Sequence, residues 1–125
     1  MERQSKNEKL LQYFKDICRI PRQTGDEEAI SQYLLDFAKA RGLQAERDAH
    51  HNVLIRKPST IPGYKGPTVI VQGHMDIVYE KSADSTHKYE DGIHVVEEDG
   101  YLKSADGTSL GADNGLAVAY AMDLL

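Results

Sequence analysis

Two short segments of this sequence combine residue types that hold metal ions in proteins. His74 and Asp76 lie in the segment 73–76 (GHMD), and Asp113 lies between glycines in the segment 110–115 (LGADNG). An imidazole and a carboxylate are both zinc ligands. A second carboxylate beside the imidazole can accept a hydrogen bond from its other ring nitrogen and so orient the ring. His74 and Asp113 are therefore candidate metal ligands, and Asp76 is a candidate partner of His74.

Each segment alone also fits a simpler interpretation. A histidine two residues from an aspartate can be a surface or structural pair, and LGADNG can be an ordinary helix cap beside turn glycines. Anion binding at this helix start is disfavoured because Asp113 would repel the anion. The presence of both segments in one chain favours the metal-binding interpretation.

The spacing of apolar side chains predicts the elements that must position these residues. It indicates a helix over 7–18 and a second helix that Thr24 caps and that ends near Arg41-Gly42. Shorter runs predict three strands, over 43–47, 52–56 and 68–71. A loop over 57–67 and a hairpin over 92–103, with its turn at 97–100, complete the pattern.

The strand over 68–71 leads directly into the first candidate segment. Residues two apart in a strand face the same side, so His74 and Asp76 are expected to lie together. Open α/β sheets bind ligands at the carboxyl ends of their strands. The closing part of the sequence predicts a helix that begins at Asp113-Asn114 and continues to Leu125 without a stop signal. We therefore expect the opening part of an α/β domain, with an apolar face open to self-association.

Composition excludes several further classes of protein. The 125 residues, 14.0 kDa, suffice for one domain, and a net charge of -5 argues against nucleic acid as a partner. The single cysteine excludes an intramolecular disulfide framework. No segment has the apolar length of a signal sequence or a membrane span, so a cytoplasmic location without a membrane partner is expected.

The two candidate segments, read as GHMDIVYEK and KSADGTSLGADNG, resemble the aminoacyl-histidine dipeptidases. These are cytosolic dizinc metallopeptidases of the broad aminoacylase and carboxypeptidase-G-like family. The resemblance extends over nearly the whole chain, including ICRIP, EEAISQYLLDFAKARG and ERDAHHNVLIRKP. It implies that residues 1–125 form the N-terminal part of a mixed-sheet, zinc-peptidase-like α/β catalytic domain with two leading helices.

The resemblance also implies roles for individual residues. His74 corresponds to the imidazole ligand of one zinc, Asp76 to the carboxylate that holds His74, and Asp113 to the carboxylate that bridges both zincs. In such enzymes the peptide bond after the bridging acid is typically cis. A glutamate takes the proton of the metal-bound water.

Several parts of the family pattern are absent from this chain. The Glu-Glu pair with the general base, the later acidic ligand, the second histidine and the inserted dimerisation or lid domain should all follow the Asp113 helix. Glu97-Glu98 precedes Asp113 and is interpreted as solvated surface. With two of its protein ligands at most, a zinc ion is expected to bind this chain weakly or not at all, and we expect no peptidase turnover by these residues alone.

The remaining candidates fit structural roles better. His50, His51, His87 and His94 are expected to be exposed and without a function, since the sequence places no second ligand beside them. Cys18 falls on the apolar face of the first helix and is expected to be a core residue rather than a nucleophile. Residues 106–108 are predicted to form a turn.

The function that the resemblance implies is dizinc-dependent hydrolysis of dipeptides with a C-terminal histidine by the complete protein, acting as a homodimer. One alternative is a related dizinc peptidase or deacylase with another substrate. A second alternative is a non-catalytic binding module derived from a shortened enzyme.

Overall fold

A computed structural model describes residues 2–125, with side chains from residue 7 onward, and has both helices and strands. The helices are α1 (Glu2–Cys18), α2 (Glu28–Ala40) and α3 (Ala112–Leu124). The strands are β1 (Gln44–Arg47), β2 (Val53–Arg56), β3 (Val95–Glu98) and β4 (Tyr101–Ser104), and a 3₁₀ turn covers Tyr89–Asp91. The mixed α/β architecture with two leading helices is confirmed.

The strands form two separate antiparallel hairpins, β1 with β2 and β3 with β4. Asp99 and Gly100 connect β3 to β4, with φ of 54° and 79°. Positive φ at both central residues is typical of the type I′ turn, whose twist matches the flanking strands. The predicted turn at 97–100 is therefore too long, because two residues suffice and Glu97 and Glu98 extend β3. Both glutamates are exposed, as expected of solvated surface.

The core lies where α1 packs against α3, with α2 packed on the β1–β2 hairpin. Phe14 and Ile17 of α1 are 1% and 0% exposed. Burying one such side chain stabilises the fold by about 1.5–3 kcal/mol. The buried apolar cluster comprises Leu10, Phe14, Ile17, Cys18, Ile30, Leu34, Phe37, Ile77, Ile93, Val118, Ala119 and Met122. Cys18 thus has the core position expected for it.

The predicted strand over 68–71 is wrong for the part of the chain that the structure describes. Val69 and Ile70 are 81% and 82% exposed, and no strand among residues 2–125 pairs with this segment. A β-branched run forms a strand only where a neighbouring strand satisfies its backbone groups. The predicted loop over 57–67 is confirmed, since it contains no helix or strand.

The observed helix ends agree with one of the predicted start and stop residues and disagree with another. Gly42, with φ of 66°, follows the end of α2 as predicted, and its N–H donates to Lys39. The predicted cap at Thr24 is wrong, because α2 begins at Glu28 after Glu27, and no side chain caps it. α3 includes Asp113 and Asn114, whose backbone angles are not helical. Among the described residues, no helix has the length and apolar character needed to cross a bilayer.

Replacing Gly92 with Ala should strongly destabilise the fold. Gly92 has φ of 70° and ψ of -177°, and a Cβ there would lie 2.3 Å from the carbonyl oxygen of Arg19. Since backbone atoms cannot move aside cheaply, we expect the free energy of unfolding to fall by about 3 kcal/mol. Urea denaturation followed by circular dichroism measures the change.

The matched control is Gly100→Ala, because Gly100 also has positive φ but a Cβ added there would meet no atom within 4 Å. It should cost only about 1 kcal/mol of backbone strain. Equal losses in the two variants would contradict the close-approach explanation for Gly92.

Candidate metal site

His74 and Asp113 lie side by side at the protein surface, although they are far apart in the chain. The Nε2 atom of His74 is 3.1 Å from the Oδ1 atom of Asp113. The side chains of His74 and Asp113 are 51% and 95% exposed. The two predicted ligands therefore face one position that is open to solvent.

The other ring nitrogen of His74 contacts Asp76. Nδ1 is 3.0 Å from the Asp76 carbonyl oxygen and 3.2 Å from its Oδ1 atom. Both of these partners accept hydrogen bonds, whereas Nε2 faces a single acceptor, Asp113 Oδ1. With two acceptors against one, the neutral ring favours a proton on Nδ1, which leaves the lone pair on Nε2. The predicted contact between His74 and Asp76 is present, even though the segment is not paired in a sheet.

The charges around the imidazole shift two pKa values in opposite directions. Burial acts to lower the pKa of His74, but its hydrogen bonds with Asp76 and Asp113 outweigh this effect and raise it. The hydrogen bond from Thr24 holds the pKa of Asp76 below its usual value, against the effect of burial. Asp76 is therefore an ionised acceptor for His74 at neutral pH.

The spacing of the two candidate ligand atoms fits a zinc ion. Zinc lies about 2.0–2.2 Å from imidazole nitrogen and carboxylate oxygen, and its tetrahedral angle separates two such atoms by roughly 3.4 Å. The observed 3.1 Å between His74 Nε2 and Asp113 Oδ1 is close to this separation. Among the side chains of residues 7–125, however, the structure has no group of three or more His, Cys, Asp or Glu residues arranged to hold a metal.

A short parallel pairing places His74 and Asp76 against the segment that follows α1. The N–H of Ile77 donates to the Arg22 carbonyl at 3.0 Å, and the N–H of Thr24 donates to the Ile77 carbonyl at 3.1 Å. Ile77 is 4% exposed and joins the core. This pairing fixes the end of the 73–76 segment to the body of the protein.

Arg22 connects both candidate segments. Its side chain is 1% exposed, and it donates from Nη1 to the Met75 carbonyl at 2.9 Å and from Nη2 to the Gly111 carbonyl at 3.1 Å. Met75 lies between His74 and Asp76, and Gly111 lies two residues before Asp113. The planar guanidinium group therefore sets the distance between the two segments.

The glycines of LGADNG leave room for this arginine. A Cβ at Gly111 or Gly115 would lie 2.9 Å or 2.6 Å from Nη2 of Arg22. Gly73 similarly allows the segment 73–76 to pack against α3, since a Cβ added at Gly73 would lie 2.9 Å from the Cβ of Ala117. These glycines therefore serve close packing as well as turn formation. The Asp113-Asn114 peptide bond is cis, as the resemblance implies.

Tyr89 supports the segment after α1 from the opposite side. Its hydroxyl donates to the Asp26 carboxylate at 2.7 Å and accepts from the Gln23 N–H at 2.9 Å. Burial, and next the hydrogen bond to Asp26, raises the pKa of Tyr89 to about 12. Tyr89 thus anchors the backbone that carries Thr24.

Sequence reasoning missed Arg22 and Tyr89 and misassigned Thr24. The signal for Arg22 and Thr24 is their position one and three residues after Pro21, where an extended segment follows the helix. Nothing local indicates Tyr89, because its partners precede it by more than sixty residues.

The other histidines contribute nothing to this site. The expectation that His87 is exposed is wrong, since it is 8% exposed and contacts the Tyr79 hydroxyl and the Gly92 carbonyl where the chain folds around it. His50 and His94 are exposed as expected, and His51 is half-buried. Burial raises the pKa of the Cys18 thiol, although Arg22 opposes the shift, which disfavours a nucleophilic role.

Comparison with known proteins shows similarity to dipeptidases. The chain is 38% identical over 116 residues to the cytosol non-specific dipeptidase of Escherichia coli (strain K12), covering 93% of this chain and 24% of the relative. It matches the crystal structure of aminoacylhistidine dipeptidase from Vibrio alginolyticus with a TM-score of 0.86 and 35% identity, covering 92% of this chain and 24% of that chain. No protein-family profile matches.

These findings confirm the predicted resemblance to dipeptidases. The structural match also confirms the fold class, because it extends over more than nine-tenths of this chain. The chain spans about a quarter of the length of each of these two relatives.

Substituting Arg22 with Lys should destabilise the fold, because one ammonium group cannot reproduce both hydrogen bonds of the guanidinium. We expect the free energy of unfolding to fall by about 1–3 kcal/mol, measured by urea denaturation. Arg19→Lys is the control, since the Arg19 side chain is 73% exposed and should tolerate the change. Equal stability of the two variants would contradict the connecting role of Arg22.

Tyr89 should make stability depend on pH in the alkaline range. A tyrosine whose pKa is raised from 10.0 to about 12 on folding stabilises the protein below pH 10 and loses this effect as pH rises towards 12. The difference in unfolding free energy between the wild type and Tyr89→Phe should therefore shrink over this interval. Tyr101→Phe, at a residue that is 70% exposed, should show no such trend. A difference for Tyr89→Phe that stays constant with pH would contradict the shift.

Proposed function

We propose that the complete protein to which this chain belongs is a zinc-dependent dipeptidase in which His74 and Asp113 hold metal. The observation that carries the proposal is the 3.1 Å approach of His74 Nε2 to Asp113 Oδ1 at an open surface. The similarity to two dipeptidases over more than nine-tenths of this chain supports the same reaction class.

Each residue of the site has a distinct task in this proposal. His74 presents the lone pair of Nε2 as a ligand because Asp76 accepts the hydrogen bond from the protonated Nδ1 on the opposite edge of the ring. Asp113 presents one carboxylate oxygen beside His74, and its 95% exposure leaves the second oxygen available to another cation. A bound zinc pair supplies Lewis-acid polarisation of the scissile carbonyl and acidifies a water molecule.

The complete protein must supply what residues 1–125 lack for this reaction. We infer that residues 1–125 are the N-terminal part of its catalytic domain, and that the general base and further ligands come from other segments. We expect the protein to act in the cytoplasm as a homodimer on small peptides. The chain by itself, with two of the ligands, is expected to bind zinc weakly and to turn over no substrate.

Substrate specificity separates the main proposal from its rivals. The preferred substrate is a dipeptide with a C-terminal histidine, as in the name of the Vibrio alginolyticus protein. A broader dipeptidase is the second candidate, because the Escherichia coli relative is named a non-specific dipeptidase. A deacylase of the same family and a non-catalytic binding module are the third and fourth candidates.

The complete protein, loaded with zinc, should hydrolyse Xaa-His dipeptides, and removal of zinc with a chelator should abolish the activity reversibly. Asp76→Ala should lower kcat/KM by about 10–100-fold, and His74→Ala and Asp113→Ala should lower it further. Amino-acid release measured by chromatography gives these rates.

His94→Ala is the matched control, because His94 is an exposed histidine outside the site and its loss should leave kcat/KM unchanged. Equal rates on dipeptides without histidine would favour the broader dipeptidase. Full activity of His74→Ala or of the chelated protein would overturn the proposed zinc site.

A further inference from the structure

We propose that Thr24 is a positioning residue that fixes the ring of His74 through Asp76. Its hydroxyl donates to Oδ2 of Asp76 at 2.6 Å, whereas Oδ1 of the same carboxylate faces Nδ1 of His74 at 3.2 Å. The two oxygens of one carboxylate thus have two different partners. This inference rests on the proposed role of His74 as a zinc ligand.

The Asp76 carboxylate needs such a constraint. The last torsion of an aspartate is broad, so the group rotates easily when nothing holds it. Asp76 is 29% exposed, and water can compete with His74 for its oxygens. A short hydrogen bond to Oδ2 holds the plane of the carboxylate and keeps Oδ1 directed at the imidazole.

Thr24 is itself held firmly enough to act in this way. Its N–H donates to the Ile77 carbonyl at 3.1 Å, which places its backbone beside residues 76 and 77. Gln23, the preceding residue, donates its N–H to the Tyr89 hydroxyl at 2.9 Å. As a β-branched residue, threonine also has few side-chain rotamers. Thr24 therefore acts from a fixed backbone, and no helix cap employs its hydroxyl.

The consequence for the metal site lies in the tautomer of His74. Asp76 offers two acceptors to Nδ1, against the single Asp113 oxygen at Nε2, so the neutral ring keeps its proton on Nδ1 and presents the Nε2 lone pair to a cation beside Asp113. When Thr24 loses its hydroxyl, Asp76 can turn away and the preference for this tautomer weakens. Partners that orient a ligating histidine typically alter metal affinity 10–100-fold, and Thr24 acts one contact further away, so a loss of about tenfold is expected.

Three variants of the complete protein test the inference. Thr24→Val keeps the shape and removes the hydroxyl, Thr24→Ser keeps the hydroxyl, and Thr86→Val is a control at an exposed threonine. Ring ¹⁵N shifts of the zinc-free protein at alkaline pH report the tautomer of His74, whose signals are identified by their loss in His74→Ala. Competition with a chromophoric chelator gives the zinc affinity.

Thr24→Val should show a mixed tautomer and about tenfold weaker zinc binding, whereas Thr24→Ser and Thr86→Val should resemble the wild type. If Thr24→Val does not fold, Thr24→Ala replaces it. A hydroxyl-free variant that keeps the wild-type tautomer overturns the inference. So does a Thr24→Ser variant that shows the mixed tautomer and weak zinc binding expected of Thr24→Val. The tautomer is measured without zinc or substrate, so this result is independent of whether the proposed dipeptidase activity is found.

Discussion

A buried guanidinium group holds the candidate site together. Arg22 is 1% exposed, and its two terminal nitrogens donate to carbonyls on the two segments that carry His74 and Asp113. Removing an arginine from water is costly, and hydrogen bonds to it recover part of that cost only when both acceptors are in place. The burial of one residue therefore constrains two distant parts of the chain to lie at a fixed separation.

The surroundings of Arg22 follow from this constraint. Gly111 and Gly115 lack side chains where the guanidinium group lies, and the Arg22 carbonyl accepts the Ile77 N–H that fixes the end of the histidine segment. Thr24, two residues later, directs the Asp76 carboxylate towards His74. One short stretch after α1 thus determines both where the two candidate ligands lie and how the imidazole is oriented.

Local sequence patterns predict the helices, the strands β1 and β2, the β3–β4 hairpin and the three candidate site residues, because these depend on apolar spacing, turn glycines and residue chemistry. The absence of a strand over 68–71 is not predictable in the same way, since a strand depends on partners rather than on its own residues. The positions of Thr24, Arg22 and His87 also depend on contacts between distant segments. A threonine before acidic residues looks like a helix cap, and only the tertiary structure shows that its hydroxyl binds Asp76 instead.

In the proposed site, His74 and Asp113 share one cation. The most direct measurement is an anomalous difference map from crystals of the zinc-loaded complete protein, collected on both sides of the zinc absorption edge. A zinc peak should lie within bonding distance of both His74 Nε2 and a carboxylate oxygen of Asp113, about 2.0–2.2 Å from each. Zinc bound to only one of these residues, or only elsewhere in the protein, would contradict it.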